Sequence, residues 1–375
     1  MREGMKVDKT KWENALIKDS IKTLKVKDAV QKKDYLLTGK YPIISQEKDF
    51  ISGYCNTEDN LNEVLEEVII FGDHTRIVKY VDFDFCVGAD GVKVLRPNNK
   101  LSAKYLYYFI KWSNIPSNGY SRHFKFLKEI EIKYSKDKSI QQTIASELDA
   151  IQTMIDSYKA QLADLDTLAQ SIFLDMFGDP VTNQKGWELH SIASFGKIVT
   201  GNTPSKSIEK YYNSDYIEWI KTDNIQSNAL YPTIASKYLS KEGSLKGRIV
   251  EKNSILVCCI AGSLSSIGKC CITNRKVAFN QQINAIECNP QHNYLFSYWL
   301  IKCAQKIFME TASTGMKHIL NKSVMSSIKL PVPAPSLQQQ FANRVEAIEK
   351  QKELIKSQLA DAEILMAERM QYYFS

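Results

Sequence analysis

Two stretches of the chain repeat apolar side chains at alternating intervals of four and three residues, with no glycine or proline to interrupt them. In residues 139–177 the series is Ile144, Leu148, Ile151, Ile155, Tyr158, Leu162, Leu165, Ala169, Ile172 and Met176. In residues 336–374 it is Phe341, Val345, Ile348, Ile355, Leu359, Ala362, Met366 and Tyr373, interrupted by Lys352 and Arg369. A sustained 3.5-residue period predicts a helix whose seam is buried against another helix, with Leu148, Ile155, Leu162, Val345 and Leu359 among the seam positions. At 1.5 Å per residue each helix is roughly 55–60 Å long. Ser139 and Ser336 stand where N-caps are expected.

The two stretches are copies of one another. Slid by 197 residues, they align without a gap, and the phrase KAQLAD (159–164) falls on KSQLAD (356–361). Shared polar positions such as Gln141/Gln338 and Gln142/Gln339 are not explained by heptad spacing alone and mark an internal duplication. The preceding blocks echo each other more faintly. Each opens near a tryptophan, Trp12 or Trp187, and carries short β-branched and aromatic runs between turn residues. Each also has one apolar helical segment, 105–112 or 294–303. From the tryptophan to the helix the blocks span 127 and 149 residues, so insertions are expected in loops. Because the ends of a globule are often close together, the order globule–helix–globule–helix predicts antiparallel helices related by an approximate two-fold axis.

Composition narrows this only slightly. The net charge of +7, from 49 Lys+Arg against 42 Asp+Glu, permits a polyanionic partner without requiring one. No apolar run is long enough to span a membrane, and the charged start of the chain lacks a signal-peptide core. A cytoplasmic protein with reduced cysteines is expected.

Motifs for chemistry are weak. Gly262 to Cys270 has five residues between its glycines where a phosphate loop has four, and a cysteine where magnesium needs a hydroxyl, so it reads as a turn. Adjacent cysteines, Cys258–Cys259 and Cys270–Cys271, point to opposite faces of a strand and cannot clamp zinc as C-x-x-C does. No cofactor or metal is expected. Gly72-Asp73-His74-Thr75-Arg76 has three readings: a self-capping turn, half of a hydrolytic triad, or a polar loop for bases and phosphates. Gly-basic-His phrases close both blocks, GYSRH (119–123) and GMKH (315–318). Such loops suit nucleic-acid contact or, equally, a solvated turn. Asn202-Thr203-Pro204-Ser205-Lys206 is open to the same two readings.

In order along the chain, IISQEKDFISGY (43–54), VIIFGDHTR (68–76), GYSRHFK (119–125), LAQSIFLDMFGDP (168–180), TGNTPSK (200–206) and LPVPAPSLQQQFA (330–342) resemble the specificity subunits of type I restriction–modification systems. The resemblance covers nearly the whole chain. It implies an α+β architecture: two strand-rich target-recognition domains at opposite ends of a long antiparallel two-helix coiled coil, with internal pseudo-two-fold symmetry. The domains would be residues 1–138 and 180–335, and the helical regions 139–179 and 336–375. It implies a non-catalytic subunit that reads a bipartite, asymmetric site in double-stranded DNA, with two modification (methyltransferase) and two restriction subunits as partners. DNA-contact candidates are His74, Thr75, Arg76, Tyr120, Ser121, Arg122, His123, Lys125, Asn202, Thr203, Ser205, Lys206, Lys317 and His318. Gln161, Asp164, Gln358 and Asp361, off the seam, are candidates for partner docking. A cytosolic coiled-coil scaffold whose globules bind proteins is the alternative, and an enzyme with a degenerate site near Asp73 and His74 a third.

Overall fold

A computed structural model describes residues 6–88, 91–117, 119, 121–227, 229–313 and 319–375. The chain divides into two compact units, Met1–Lys159 with Ser357–Ser375, and Ala160–Lys356. Each takes one strand-rich domain and part of each long helix.

The domains match strand for strand. In the first, Glu13–Leu16 pairs antiparallel with Glu131–Tyr134, joining the domain's two ends. A four-stranded antiparallel sheet runs Ile21–Thr23, Val92–Pro97, Val68–Gly72, Val78–Val81. A second, mixed sheet runs Gly53–Cys55, Tyr41–Ile44, Phe85–Val87, Leu61–Asn62, its middle pair parallel. The second domain repeats all of this: Leu189–Ser191 with Lys329–Pro331, then Gly196–Thr200, Ile283–Cys288, Ile255–Cys258, Cys270–Ile272, then Tyr238–Leu239, Ile217–Ile220, Val277–Phe279, Ile249–Val250. Its parallel pair, Ile217–Ile220 with Val277–Phe279, is the counterpart one. The duplication read from the helices therefore extends through both domains, where sequence similarity has faded but hydrophobic patterning has not.

The expected domain helices are Ala103–Trp112 and Tyr294–Cys303, capped by the side chains of Ser102 and Asn293. The long helices are Lys138–Phe177 and Pro335–Phe374. Ser139 and Ser336 are therefore inside the first turn, not at the cap. In the first helix Asp137 caps, its Oδ1 accepting from Ser139 N at 2.8 Å. In the second, Pro335 takes the first helical position, where its missing N–H costs nothing and its fixed φ suits the helix.

The shared glutamines have a physical cause. Gln141 is buried and ties three backbone groups together: its Nε2 donates to Lys100 O (2.9 Å) and Ser135 O (2.7 Å), and its Oε1 accepts from Ser102 N (2.8 Å). Gln338, equally buried, donates to Pro333 O (2.9 Å) and accepts from Asn293 N (3.0 Å). Each glutamine thus locks the start of a long helix to the cap of the adjacent domain helix. The shared phenylalanines serve the opposite ends. Phe374 packs on Tyr105 and Phe109, ring centroids 5.3 and 5.7 Å away. Phe177 packs on Phe296 at 5.0 Å and on Phe341 at 5.5 Å.

Within each unit the long helices run antiparallel, and the two seam interruptions are cross-helix ion pairs. Arg369 Nε lies 2.6 Å from Glu147 Oε1, and Tyr373 donates to the same carboxylate at 2.6 Å. In the other unit Lys352 Nζ is 2.8 Å from both Asp166 and Glu349, its side chain 8% exposed. Burial pulls the Lys352 pKa down, but hydrogen bonds to the two carboxylates outweigh it and hold the pKa above the usual lysine value. A charged residue that finds its partner in only one register fixes that register. Leu148, Ile155 and Val345 are buried, Leu162 and Leu359 partly so, while Gln161, Asp164, Gln358 and Asp361 are exposed.

Candidate nucleic-acid interface

Most segments connecting equivalent elements differ between the domains by at most one residue. Three of the exceptions differ by six or more: 45–52 against 221–237 (eight and seventeen residues), 73–77 against 259–269 (five and eleven), and 113–123 against 304–321 (eleven and eighteen). In both domains these same three segments meet, so a common scaffold carries a divergent surface.

In the first domain the meeting point is the Gly72–Ile77 turn. Asp73 is buried, and its Oδ1 accepts from Phe124 N at 2.7 Å, capping the short helix Phe124–Lys128. The Asp73 carbonyl accepts from His123 N (2.7 Å) and His123 Nδ1 (2.9 Å). Gln46 brings in the first segment, its carbonyl accepting from Thr75 Oγ1 at 2.8 Å and its Oε1 from His74 N at 3.1 Å. Arg76, at φ +61°, donates through Nη1 to Ile115 O at 2.8 Å. Lys79, unremarked in the sequence, is buried and donates to Asp49 O (2.5 Å) and Phe50 O (3.2 Å), holding residues 45–52 in place. Burial lowers its pKa, against the opposing pull of Glu47 and Asp49. The signal for it was a lysine at an apolar beat of the Val78–Val81 strand.

Of the sequence candidates here, Thr75, Arg76, Arg122 and Lys125 are exposed, and His74 and Ser121 are intermediate. His123 is 1% exposed, its ring committed to the Asp73 carbonyl, so it supports the surface from beneath. Tyr120 lies outside the described residues, as do Lys317 and His318 in the other domain.

The second domain repeats the backbone pattern with different side chains. Cys259 takes the place of Asp73: its carbonyl accepts from Leu320 N at 2.8 Å, as that of Asp73 does from His123 N. A thiol cannot replace the capping carboxylate, and Asn321 caps its own helix through Val324 N at 2.9 Å. His123 directly precedes its short helix, whereas His318 is four residues ahead of Lys322. Asn202 is an internal brace, donating to Lys246 O (2.8 Å) and accepting from Arg248 N (2.6 Å). Thr203 bonds to Gln281, and Ser205 and Lys206 are exposed. Glu218 and Arg275 form a bidentate pair, 2.5 and 2.7 Å, that also holds Ala235 N and Thr233 O of the long 221–237 segment. The Arg275 hydrogen bond outweighs burial and keeps Glu218 below the usual carboxylate range.

The Asp73 carboxylate is occupied as a helix cap, and its counterpart is a cysteine whose pKa burial raises to about 12. Among the described residues no three His, Cys, Asp or Glu side chains are grouped to hold a metal.

A family model described as the type I restriction modification DNA specificity domain matches the chain twice, over residues 9–166 and 184–363. The chain belongs to this family. Among related type I specificity subunits, that of EcoR124I/EcoR124II from Escherichia coli is 25% identical over 351 residues, covering 86% of this chain and 81% of its own. The HindI specificity subunit of Haemophilus influenzae is 30% identical over 169 residues, 44% of this chain and 36% of its own. Among solved structures, the type I restriction–modification S subunit from M. genitalium superposes with a TM-score of 0.65 at 16% identity, covering 99% of this chain and 98% of its own. A chain from a study of complex assembly and conformational transition in the type I R-M system gives 0.53 at 11% identity, covering 96% and 97%. The two matched segments of the family model fall on the two copies of the internal repeat, so each copy is one type I specificity domain with an adjoining stretch of long helix. No helix among the described residues is long and apolar enough to cross a membrane.

Proposed function

We propose that this chain is the cytoplasmic DNA-specificity subunit of a type I restriction–modification complex, without an active site of its own. Each domain reads one half of a bipartite target in double-stranded DNA, and the paired long helices set the distance between the halves. Two modification (methyltransferase) subunits dock on the helices at the repeated, exposed positions Gln161, Asp164, Gln358 and Asp361, and two restriction subunits complete the assembly. The observation that carries this reading is the strand-for-strand duplication whose copies differ most in three converging loops. Two readers on one scaffold with different loops imply two different half-sites, hence an asymmetric target. Thr75, Arg76, Arg122 and Lys125 in the first domain are the exposed candidates for phosphate and base contact, and Ser205 and Lys206 in the second for phosphate contact. The divergence is what a pair of readers needs, whereas a protein-binding scaffold gives no reason for it to concentrate at one convergent surface.

The test is selection of a random duplex library by the assembled complex of this chain with its modification subunits. Enrichment of two unequal, fixed-spacing sequence blocks supports the reading, and recovery of no sequence preference opposes it.

A further inference from the structure

In the second domain the two expanded segments, 221–237 and 259–269, enclose an open groove. Its rim is Thr222, Asp223, Gln226, Ser263, Ser266 and Lys269, and its floor includes the buried Ile225 and Cys258. The rim is held rigid from behind. Gln305 Nε2 donates to Ser265 O (3.1 Å) and Ile267 O (2.9 Å), so the third expanded segment anchors the second. Gly268, at φ +76°, lies so close to the Phe308 side chain that a Cβ would come within 2.8 Å of it. On the other wall Asn224 is buried, its side chain bonding to Lys221 N (3.0 Å) and Thr233 Oγ1 (3.0 Å). Of the groove's side chains Asp223, Gln226, Ser227 and Ser263 are exposed and Lys269 partly so, and Asp223 is paired with Lys221 at 3.2 Å.

We propose that this groove, not the Asn202–Lys206 turn, is the base-reading surface of the second domain, with Gln226 and Lys269 as specificity-determining residues. This rests on the DNA-specificity reading above. Three observations converge on it. The groove is built from segments that are seventeen and eleven residues long where the first domain has eight and five. Its walls are held by the side-chain amides of Asn224 and Gln305, so its side chains are presented without a large ordering cost. Its rim carries the chemistry that distinguishes base edges: an amide that can bond to adenine N6 and N7, an ammonium for guanine O6 and N7, and hydroxyls that serve either. The Asn202–Lys206 turn lacks this freedom, since Asn202 and Thr203 spend their side chains on Lys246, Arg248 and Gln281.

The experiment repeats the library selection with Gln226→Ala and Lys269→Ala chains in the assembled complex, after thermal unfolding confirms a wild-type transition. Each variant is expected to lose preference at one or two base pairs of one half-site, by roughly 5- to 150-fold per base pair, with the other half unchanged. An unaltered motif, or a weakening spread equally over both halves up to complete loss, overturns the assignment. A wild-type complex that selects no motif overturns instead the DNA-specificity reading on which it stands.

Discussion

Replacing Gln141 with alanine tests whether the repeated polar phrase is a structural lock. The substitution removes one acceptor and two donated bonds, orphaning Ser102 N–H, Lys100 C=O and Ser135 C=O. A buried group left without a partner costs about 1–3 kcal/mol. Ser135 is buried and bears the full cost, whereas Lys100 is exposed and water can take over part of its bond. The expected loss is about 2–4 kcal/mol. The adjacent, exposed Gln142 is the control, and Gln142→Ala should fall within about 0.5 kcal/mol of the parent. Urea denaturation of the full chain reads both as a shift in midpoint at unchanged slope. Hydrogen exchange at the Ser102 amide localises the effect, since that proton loses its acceptor. Equal midpoints for the two variants, or unchanged protection at Ser102, would show that Gln141 does not lock the helix start.

Four further outcomes follow from the same contacts. Arg369→Ala leaves the Glu147 carboxylate without its guanidinium and should cost about 1–3 kcal/mol, read as a lower urea midpoint; an unmoved midpoint would show that the seam does not depend on the pair. The folded-state pKa of Glu218 is depressed, so its pair with Arg275 contributes stability above the ordinary glutamate value of 4.5 and loses it as pH falls below that; Glu218→Gln should therefore flatten the acid limb of stability against pH, and an identical limb would contradict the assignment. Asp73→Ala should cost about 1–3 kcal/mol through the lost cap, with methylation falling only as far as DNA affinity does, and chemistry lost while DNA affinity is kept would revive a catalytic reading. Arg122→Ala and Lys125→Ala should each weaken DNA binding evenly across sequences and reduce the salt slope by about one, and a slope unchanged in both would place these side chains away from phosphate.

The long helices were legible almost to the residue, because a long heptad series free of glycine and proline leaves no other regular structure open, even with Lys352 and Arg369 breaking the second copy. Their starts were less so, since Asp137 and Pro335 act one or two residues before the serines that resemble caps. The strand content of the domains was visible, but the pairing was not: a run such as Ile217–Ile220 does not announce a parallel partner sixty residues on. The candidate interface was the least legible part. His123 and Asn202 carry the right chemistry for contacting DNA, yet the fold uses both to brace loops, a distinction set by tertiary contacts alone. Gln226 sits among unremarkable polar residues and Lys269 in the Gly262–Cys270 stretch read as a turn, and both gain meaning only when the two domains are compared element by element. That comparison needs the sheets, because the loops themselves have diverged beyond alignment.

On the proposed reading, this one chain gives a partner methyltransferase its sequence specificity through two different readers. Mapping adenine methylation across a whole genome, in cells expressing the modification subunits with and without this chain, tests it most directly. One asymmetric, two-part motif of methylated adenines is expected, appearing only when the chain is present. A methylation map identical in the two strains, with the modification subunits intact, would contradict it.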